Sequence, residues 1–539
     1  MPNVHEIIRD HVTLSITCVD RLYVNGYLPS LQTPGQLCYF LREHLGNPIP
    51  SPALFEPMRE RLVRGVEVFA EEHDVPLIHF ERGQRKDDVA AKYRAKFDAP
   101  EGVVFIGVAQ EKMYSFRAKK GHGPRGGVQF EFSRQPAFVN HYYFYVQDRE
   151  WGPAFIKLGS YLPYPVKLCL NGHEWAKQQM RRQRLSFDSL DNGFLSCRQP
   201  QRLQQICDRL GPEHVRSFFD RWSHRLPWPL SAHDRATGFE HRLTLWQMEI
   251  SLTDVFDHPV QGRHFFESLI RDNLDLGRPD RVSLLFPYRT TGRTPPPRHG
   301  YRTRVITDGV SPSLHVDHKS SHIKQYFKED RALRTETTIN NAGDFRCPRG
   351  LDHFDHLRQI GDNINRRLLE VERMSQGCTL SQNAFDRLQQ PLVLANGQRV
   401  SALRFGDPRV MAVLQALTSF ALVPEGFRNR NIRGQVAALL GIPPEHYTPA
   451  KMSYDLRRLR LRGLIARIPG TQRYIVTSYG LKVAFFYSKV YIRILRPGWA
   501  ALSADQGAAD IPRPITSILN KLDAEVHQLC KDSQLRTAA

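Results

Sequence analysis

The clearest periodic pattern of apolar positions lies towards the C-terminus, and it predicts three helices and a hairpin. Apolar residues recur at helical spacing over residues 410–421 and again over 429–440. Thr448 is then placed to cap a third helix that begins at Pro449, a position where a missing N–H is tolerated. Two short strands follow, and the Pro-Gly-Thr-Gln sequence between them favours a tight turn. Three helices followed by a hairpin is the order of a winged helix-turn-helix.

The third of these helices has two different faces. Its apolar face carries Met452, Leu456 and Leu459, which we expect to pack on the other two helices. The other positions of this helix, with two arginines of the hairpin, are the expected contacts with nucleic-acid phosphates and a groove: Lys451, Ser453, Tyr454, Arg457, Arg458, Arg460, Arg467 and Arg473. The alternative is an ordinary three-helix lobe whose arginines form a solvated face.

Upstream of residue 400, short apolar strands alternate with helical segments, which predicts a mixed α/β (α+β) body. Between residues 140 and 190 the pattern is three strands, a helix and a fourth strand, the core order of an RNase H-like fold. Residues 200–285 are predicted to be helical, including a helix over 243–256. Residues 304–340 are again rich in strands.

These patterns divide the 539-residue chain into five parts. They are an N-terminal α/β domain (1–135), an RNase H-like and helical domain (136–290), a strand-rich segment with a connecting helix (300–375), the winged helix (400–500) and a tail (501–539). A helix in the tail would give the protein a means to form a homodimer.

The charge distribution favours a polyanionic partner. The formal net charge is +20, and residues 401–500 alone contain 16 basic against 4 acidic residues, a surplus of 12. Nucleic acid is therefore the expected partner, with DNA favoured and a structured RNA as the alternative. We find no signal peptide and no apolar run that could cross a membrane, so no membrane partner is expected. The eight cysteines form no C-x-x-C pair, which predicts a reduced, cytoplasmic protein.

Three acidic residues in the middle of the chain suggest a site for two metal ions. Asp148 ends the first of the four strands, Asp191 ends the fourth, and Glu249 lies in the predicted helix 243–256. This order is that of the DDE residues of transposases and integrases, in which carboxylates bind Mg²⁺ or Mn²⁺ and activate an oxygen for phosphodiester cleavage or transfer. The alternative is that Asp191 only caps a turn.

A second candidate site lies on two successive strands further along the chain. One strand places Lys324, Tyr326 and Lys328 on one face, and the next places Arg334 and Glu336 on one face. If the faces coincide, the cations would lower the pKa of Tyr326, which could then attack a phosphate. The pattern resembles part of some rolling-circle replication initiators, although their His-x-His pair is missing. A polar hairpin that contacts nucleic acid, or that only forms cross-strand ion pairs, is the alternative.

Six short motifs extend over nearly the whole chain. They are CVDRLYVNGYLP from Cys18, HYYFYVQD from His141, NGHEW from Asn171, LDNGF from Leu190, IKQYFKE from Ile323 and LRTETTIN from Leu333. With them, the chain resembles a group of full-length bacterial proteins that have no established activity, are transposase-like overall and carry a C-terminal winged helix. Some are labelled transcriptional regulators. The resemblance implies that the Tyr326 hairpin and the Asp148 and Asp191 segments are hallmarks of the group.

Two functional hypotheses follow. In the first, the protein is a mobile-element enzyme, a metal-dependent nuclease or transposase with Asp148, Asp191 and Glu249 as metal ligands and with Tyr326 and Glu336 near the scissile strand. In the second, it binds DNA or RNA without catalysis, as a transcriptional regulator or a ribonucleoprotein scaffold. The first requires the three carboxylates to converge in a basic cleft that Tyr326 also faces.

Overall fold

The structure, a computed structural model, describes residues 10–491 except 123–127, 309–310, 377–379, 395–396 and 421–425. Between 274 and 301 it describes only 276, 282, 285–286, 296–298 and 300, and beyond 491 only 521, 525 and 528. The predicted tail and its dimer-forming helix therefore lie almost entirely outside the described residues. The fold is mixed α+β, as predicted, and divides into a larger unit (His5–Arg278 and Leu285–Leu368) and a smaller one (Met1–Val4, Pro279–Leu284 and Leu369–Ala539).

The larger unit is built on one sheet with a small separate hairpin. Its strands are β1 (Val12–Tyr27), β2 (Leu77–His79), β3 (Gly102–His122), β4 (Val128–Asp148), β5 (Gly152–Gly159), β6 (Val166–Asn171), β7 (Phe187–Leu190), β8 (Gly193–Cys197), β9 (Arg242–Phe256), β10 (Thr303–Asp308), β11 (Ser311–His318), β12 (Ser321–Lys328) and β13 (Ala332–Ile339). Eleven of them form a single sheet in the order β10-β11-β12-β13-β9-β1-β6-β5-β4-β3-β2, in which only β2 and β3 are parallel.

Helices cover parts of both faces of this sheet. They are α1 (Pro34–Tyr39), α2 (Phe55–Glu72), α3 (Lys86–Arg94), α4 (Gly172–Arg182), α5 (Pro200–Arg209), α6 (Pro212–Arg225), α7 (Ala232–Ala236), α8 (Pro259–Asp272) and α9 (Phe354–Gln376). One sheet face is apolar, and α9 approaches it so closely that a Cβ on Gly361 would lie 2.5 Å from Ile250. The amide of Asn365 also donates to the Ile250 carbonyl oxygen (2.9 Å). The opposite face carries most of the site residues predicted in this unit, among them Glu249, Tyr326, Arg334 and Glu336.

The helix predicted over residues 243–256 is wrong, because this segment is β9, in the middle of the sheet between β13 and β1. Apolar residues alternate on both sides of a bulge, but Trp246 is an extra residue opposite β1. The bulge turns the spacing between Leu245 and Met248 into three residues, which imitates a helical pattern. Glu249 therefore lies on a strand.

The predicted RNase H-like order is not completed by the described strands. β4, β5, β6 and α4 follow one another as predicted, but β7 pairs with β8 in a two-stranded sheet of its own. The strand that ends next to Asp191 therefore does not lie beside the strand that ends at Asp148. Strands from residues 1–135, 136–290 and 300–375 also join one sheet, so the predicted boundaries between these ranges do not separate compact units.

The smaller unit contains the helices and hairpin predicted from the C-terminal pattern. Its elements are α10 (Gln382–Gln389), β14 (Leu392–Val393), β15 (Arg399–Val400), α11 (Pro408–Thr418), α12 (Asn429–Leu439), α13 (Pro449–Leu461), β16 (Ile465–Arg467), β17 (Tyr474–Val476) and α14 (Ser478–Val490). Thr448 caps α13 by accepting from the Lys451 N–H, as predicted. Met452, Leu456 and Leu459 are buried in the core of this unit.

Phe427, which precedes α12, adds a short third strand segment to the β16–β17 hairpin. Its N–H donates to the Tyr474 carbonyl oxygen, and the Tyr474 N–H donates back, both at 2.8 Å. A Cβ on Gly426 would lie 2.5 Å from the same Tyr474 oxygen, and its φ is +65°, so this position requires glycine.

In the part of the chain that the structure describes, no helix is both long and apolar enough to cross a membrane.

Candidate functional sites

A β-bulge in the CVDR motif begins the main site. Asp20 and Arg21 of β1 together lie opposite the single residue Glu249 of β9. A β-bulge changes the direction in which side chains point. Here it places the neighbouring side chains of Asp20 and Arg21 in different environments. Asp20 is buried against Arg334 of β13, whereas Arg21 is exposed.

Arg334 is fully buried, and its guanidinium has neighbours on all sides. It lies 2.5 Å from the Asp20 carboxylate and 2.7 Å from that of Glu336, and it donates to the Asn192 carbonyl oxygen. Its Nη2 lies 2.9 Å from Nε2 of His173. A charge this deeply buried is tolerated only because it is paired. The prediction that Arg334 contacts nucleic acid is therefore wrong.

Five of the six motifs meet at this point. The converging residues, which we call the ionic cluster, are Asp20, His173, Asn192, Tyr326, Arg334 and Glu336. The Asn192 amide donates to Asp20 and accepts at its oxygen from Asn171 (2.9 Å). Segments far apart in the sequence thus form one hydrogen-bonded ionic network.

Tyr326 lies on the polar face where the sequence predicts it, but its pKa is not lowered as predicted. It pairs with Arg334 across the strands, and Lys324 pairs with Glu336, so the two predicted polar faces coincide. The Tyr326 hydroxyl donates to Glu336 (2.9 Å), and the Lys324 ammonium lies 4.1 Å from the ring centre. Burial and then the Glu336 charge raise the pKa of Tyr326 well above its usual range. The expectation of an activated phenolate is therefore wrong. The remaining lysine of this face, Lys328, pairs with an acid of the adjoining turn (3.0 Å).

The carboxylates around Arg334 ionise differently. Burial alone would raise the pKa of Asp20, but the Arg334 charge, the neighbouring His173 and the hydrogen bond from Asn192 together outweigh it and hold that pKa well below the usual range. At Glu336, burial outweighs Arg334, and the pKa is raised. Burial, followed by the Asp20 charge, raises the pKa of Glu249 to about 7. Glu249 thus changes charge near neutral pH.

We expect Glu249→Gln to stabilise the protein by about 1–3 kcal/mol at about pH 8 and by much less at about pH 5. The folded protein favours the neutral form of the Glu249 carboxyl. The stability that this carboxyl contributes is therefore complete below the ordinary pKa of glutamate, and it is lost as the pH rises through about 7 and the carboxyl ionises. The amide stays neutral and avoids this loss. Urea unfolding of both proteins at the two pH values measures the difference, and equal free energies of unfolding at the higher pH would contradict the raised pKa.

The structure does not bring the predicted metal ligands together. β4, which ends at Asp148, is four strands away from β9, which carries Glu249. At the usual spacing of about 4.8 Å between strands, this separation is roughly 19 Å. Asp191 is exposed in the turn between β7 and β8. Two metal ions a few Å apart cannot be held by this set, so the prediction of a shared site is corrected.

Asp148 instead has a structural role at the turn between β4 and β5. One oxygen accepts from the backbone N–H groups of Glu150 and Trp151, and the other accepts from Arg221 (2.7 Å) and the Trp222 indole (2.8 Å). Burial tends to raise the pKa of Asp148, but these hydrogen bonds outweigh it and lower the pKa. The carboxylate is fully buried and ties this turn to α6.

Another group of residues could hold a metal ion. Among the described residues, His11, Asp257 and His258 are the set of three whose ligand atoms lie within 4.8 Å of one another. Both imidazoles already contact the Asp257 carboxylate, at 3.3 Å and 2.9 Å. The group contains none of the predicted acids, so binding of Mg²⁺ or Mn²⁺ stays a prediction without a site.

A cavity of about 430 Å³ opens on the polar face beside the ionic cluster. Its lining includes Arg21 from the bulge, Asn171, and Asp191 with Asn192 from the β7–β8 turn. The ionic cluster holds Asn192 and therefore fixes one wall of the cavity. Asp20 and Arg21 were not among the predicted site residues, although a charged pair inside an otherwise apolar strand was an available signal.

A second candidate surface is the outer side of α13 in the smaller unit. Lys451, Ser453, Tyr454, Arg457 and Arg460 are exposed there, as predicted. The Tyr454 hydroxyl lies 2.8 Å from that of Ser401. On the hairpin, Arg467 is exposed and donates to a carbonyl oxygen of its own turn (2.8 Å).

Arg458, in contrast, faces inwards. Its guanidinium pairs with Asp455 (3.2 Å) and donates to the Ala402 carbonyl oxygen. Arg473 is half-buried and donates to the Gly426 carbonyl oxygen (3.3 Å). Arg458 therefore stabilises the unit internally, and its predicted contact with nucleic acid is wrong.

Comparison with known proteins adds no assignment. The likeness expected from the six motifs therefore stays a prediction. No protein-family model, curated protein or solved structure matches this chain.

Proposed function

We propose that the protein binds duplex DNA through its smaller unit, which acts as a winged helix, and that it belongs to the class of binding proteins without phosphodiester cleavage. The observation that carries the proposal is the pair Arg457 and Arg460 on the outer side of α13. Both are exposed, and within the described part of the chain neither forms an ion pair with a carboxylate. Two unpaired guanidiniums on one helix face are suited to an anionic duplex.

The order of elements supports this proposal. α11, the β-bridge at Phe427, α12, α13 and the β16–β17 hairpin follow one another as the parts of a winged helix do. The start of α12 is fixed to the start of α13, because the Asn429 amide donates to the Pro449 carbonyl oxygen (3.0 Å) and to the Ser453 hydroxyl (2.9 Å). α13 would be the helix that enters the major groove.

The spacing on α13 supports groove contact as well. Ser453, Arg457 and Arg460 lie four and three residues apart and therefore share one side of the helix. Arginine is the commonest side chain in direct contacts with guanine, and serine and tyrosine donate to phosphates. Arg428 and Arg430 at the start of α12 are also exposed and would reach the backbone of the same duplex.

The absence of cleavage is proposed on geometric grounds. Both oxygens of the Asp148 carboxylate already accept hydrogen bonds, from its own turn and from Arg221 and Trp222 of α6. Its strand, β4, also lies four strands away from β9, which carries Glu249. Tyr326 is hydrogen-bonded to Glu336, and its raised pKa disfavours the phenolate that an attack would need. A transcriptional regulator or a scaffold of a nucleic-acid particle fits these observations better than a transposase.

We expect the double variant Arg457→Ala/Arg460→Ala to weaken duplex binding by about 10- to 100-fold and to reduce the salt dependence of binding by about two phosphate contacts. Fluorescence anisotropy of labelled duplex DNA, single-stranded DNA and RNA over a range of salt concentrations measures both quantities. The wild-type protein should prefer the duplex.

The matched control is Arg64→Ala/Arg149→Ala, which removes the same charge from exposed positions of the larger unit. It should leave the affinity nearly unchanged. Equal losses in both double variants would show that only net charge matters and would overturn the assignment of α13. Cleavage of any labelled substrate with Mg²⁺ or Mn²⁺, but not with EDTA, would overturn the non-catalytic class.

A further inference from the structure

We propose that the cavity on the polar face of the large sheet is a second binding site and that its ligand is a nucleotide, with the base against a row of aromatic side chains and the phosphate on Arg21 and Arg94. The site lies in the larger unit and does not depend on DNA binding by α13. Its volume of about 430 Å³ is within the usual range for small-molecule sites.

The cavity floor is a row of cross-strand neighbours that crosses four strands. Tyr23 lies opposite Cys169, Cys169 opposite Phe155, and Phe155 opposite Tyr145. The rings of Tyr145 and Phe155 are 5.5 Å apart. Burial keeps this floor uncharged, because it raises the pKa of Tyr23 to about 12 and that of Cys169 to about 11. The Tyr145 and Phe155 rings are tilted by 46° to each other. A neutral and partly aromatic floor is suited to contact with a heterocyclic base.

Two guanidiniums stand at the edge of this floor. Arg21 lies two residues before Tyr23 on β1 and therefore on the same face, and Arg94 ends α3. Both are exposed, and in the described part of the chain neither lies within ion-pair distance of a carboxylate. An arginine guanidinium forms bidentate hydrogen bonds with a phosphate group, so each of these side chains is suited to one.

Carboxylates complete the lining at other points. Asp87 at the start of α3 and Asp191 in the β7–β8 turn are exposed and line the cavity. Carboxylates accept hydrogen bonds from sugar hydroxyls and from exocyclic amino groups. An inorganic anion would use only the arginines, and an apolar ligand only the floor. A ligand with a ring, hydroxyls and a phosphate uses all three kinds of group.

The ionic cluster explains how the lining is held in place. Asn192, in the cavity wall, is bound through its amide to Asp20 and through its carbonyl oxygen to Arg334. Arg21 is the neighbour of Asp20 in the bulge, so one buried network positions both the wall and a phosphate-binding arginine. The five sequence motifs that meet in the ionic cluster would therefore position the ligand-binding residues of the cavity as well as stabilise the fold.

We expect nucleoside monophosphates to bind the full-length protein with a stoichiometry of one in isothermal titration calorimetry, and inorganic phosphate and free nucleosides to bind at least about tenfold more weakly. Arg21→Gln and Arg94→Gln should each weaken monophosphate binding about tenfold and leave nucleoside binding nearly unchanged. Lys92→Gln is the matched control, since Lys92 is an exposed cation of α3 that does not line the cavity.

The outcomes separate this proposal from the one for α13. Arg457→Ala/Arg460→Ala should bind monophosphates as the wild type does, and loss of binding in that variant would overturn the cavity assignment. Phosphate as good a ligand as the monophosphates, or no effect of either glutamine variant, would also overturn it. If a 5′-phosphorylated dinucleotide binds more tightly than the monophosphate, the natural ligand is the end of a nucleic-acid strand. If the two bind equally, the natural ligand is a free nucleotide. Both results support a nucleotide site in the cavity.

Discussion

Replacement of Arg334 by methionine is expected to destabilise the protein by about 3–5 kcal/mol, because it leaves two carboxylates buried without their cation. Asp20 is 3% exposed, and Glu336 lies 2.7 Å from the guanidinium that would be lost. Part of the loss would be avoided by protonation of Asp20, so the destabilisation should be smaller at about pH 4 than at about pH 8. Urea unfolding followed by circular dichroism measures the free energy of unfolding.

The control for this prediction is Arg331→Met, three residues earlier and exposed, which should change the stability by less than about 0.5 kcal/mol. The triple variant Arg334→Met/Asp20→Asn/Glu336→Gln should recover much of the loss, because no unpaired charge is left. Similar stabilities of Arg334→Met and Arg331→Met would show that the buried charges are compensated in another way.

Gly480→Ala is expected to destabilise the smaller unit by about 3 kcal/mol or more. An added Cβ would lie 1.9 Å from the carbonyl oxygen of Leu464 and 2.9 Å from its Cα. These are backbone atoms that precede β16, so they cannot move aside as a flexible side chain could, and α14 would have to shift. Thermal unfolding monitored by circular dichroism should show a lower transition temperature for the smaller unit.

Gly434→Ala, in the middle of α12, provides the comparison. Apart from the backbone of the helix itself, no atom of the described residues lies within 4 Å of a Cβ built there, so the substitution should stabilise the helix by about 0.5–1 kcal/mol. Opposite signs for the two glycine substitutions are the expected result. Equal effects would mean that the contact between Gly480 and Leu464 does not constrain the packing of α14.

The smaller unit could be predicted because its elements depend on local signals. Thr448 accepts a hydrogen bond from the third residue of the helix that it caps, and Pro449 fits the first turn, so the start of α13 is set by adjacent residues. The hairpin turn is equally local. The prediction for Arg458 failed although its signal was also local. Asp455 lies one helical turn earlier and pairs with it, whereas Arg457 has no acid at that spacing.

The main site could not be predicted in the same way, because its geometry depends on pairing between distant strands. Asp20 and Arg334 are 314 residues apart in the chain, and their contact requires β1, β9 and β13 to pair in one particular register. The bulge at Trp246 also concealed the strand that joins them. Composition and motif spacing brought Tyr326, Arg334 and Glu336 to attention, but they could not indicate that Arg334 is buried or that Asp148 lies elsewhere.

The position of β1 in the sheet has a consequence for how the protein is made. β1 leaves the ribosome before the other described strands, yet both of its neighbours, β6 and β9, are encoded much later. At about 5–20 residues per second, β9 is complete roughly 10–50 s after β1. Until β6 is made, both hydrogen-bonding edges of β1 lack their native partners, and the edge that pairs with β9 lacks its partner for the whole interval. Nascent chains with such edges are exposed to misassembly and recruit chaperones. Truncated fragments that end before Phe256 would keep β1 in that immature condition.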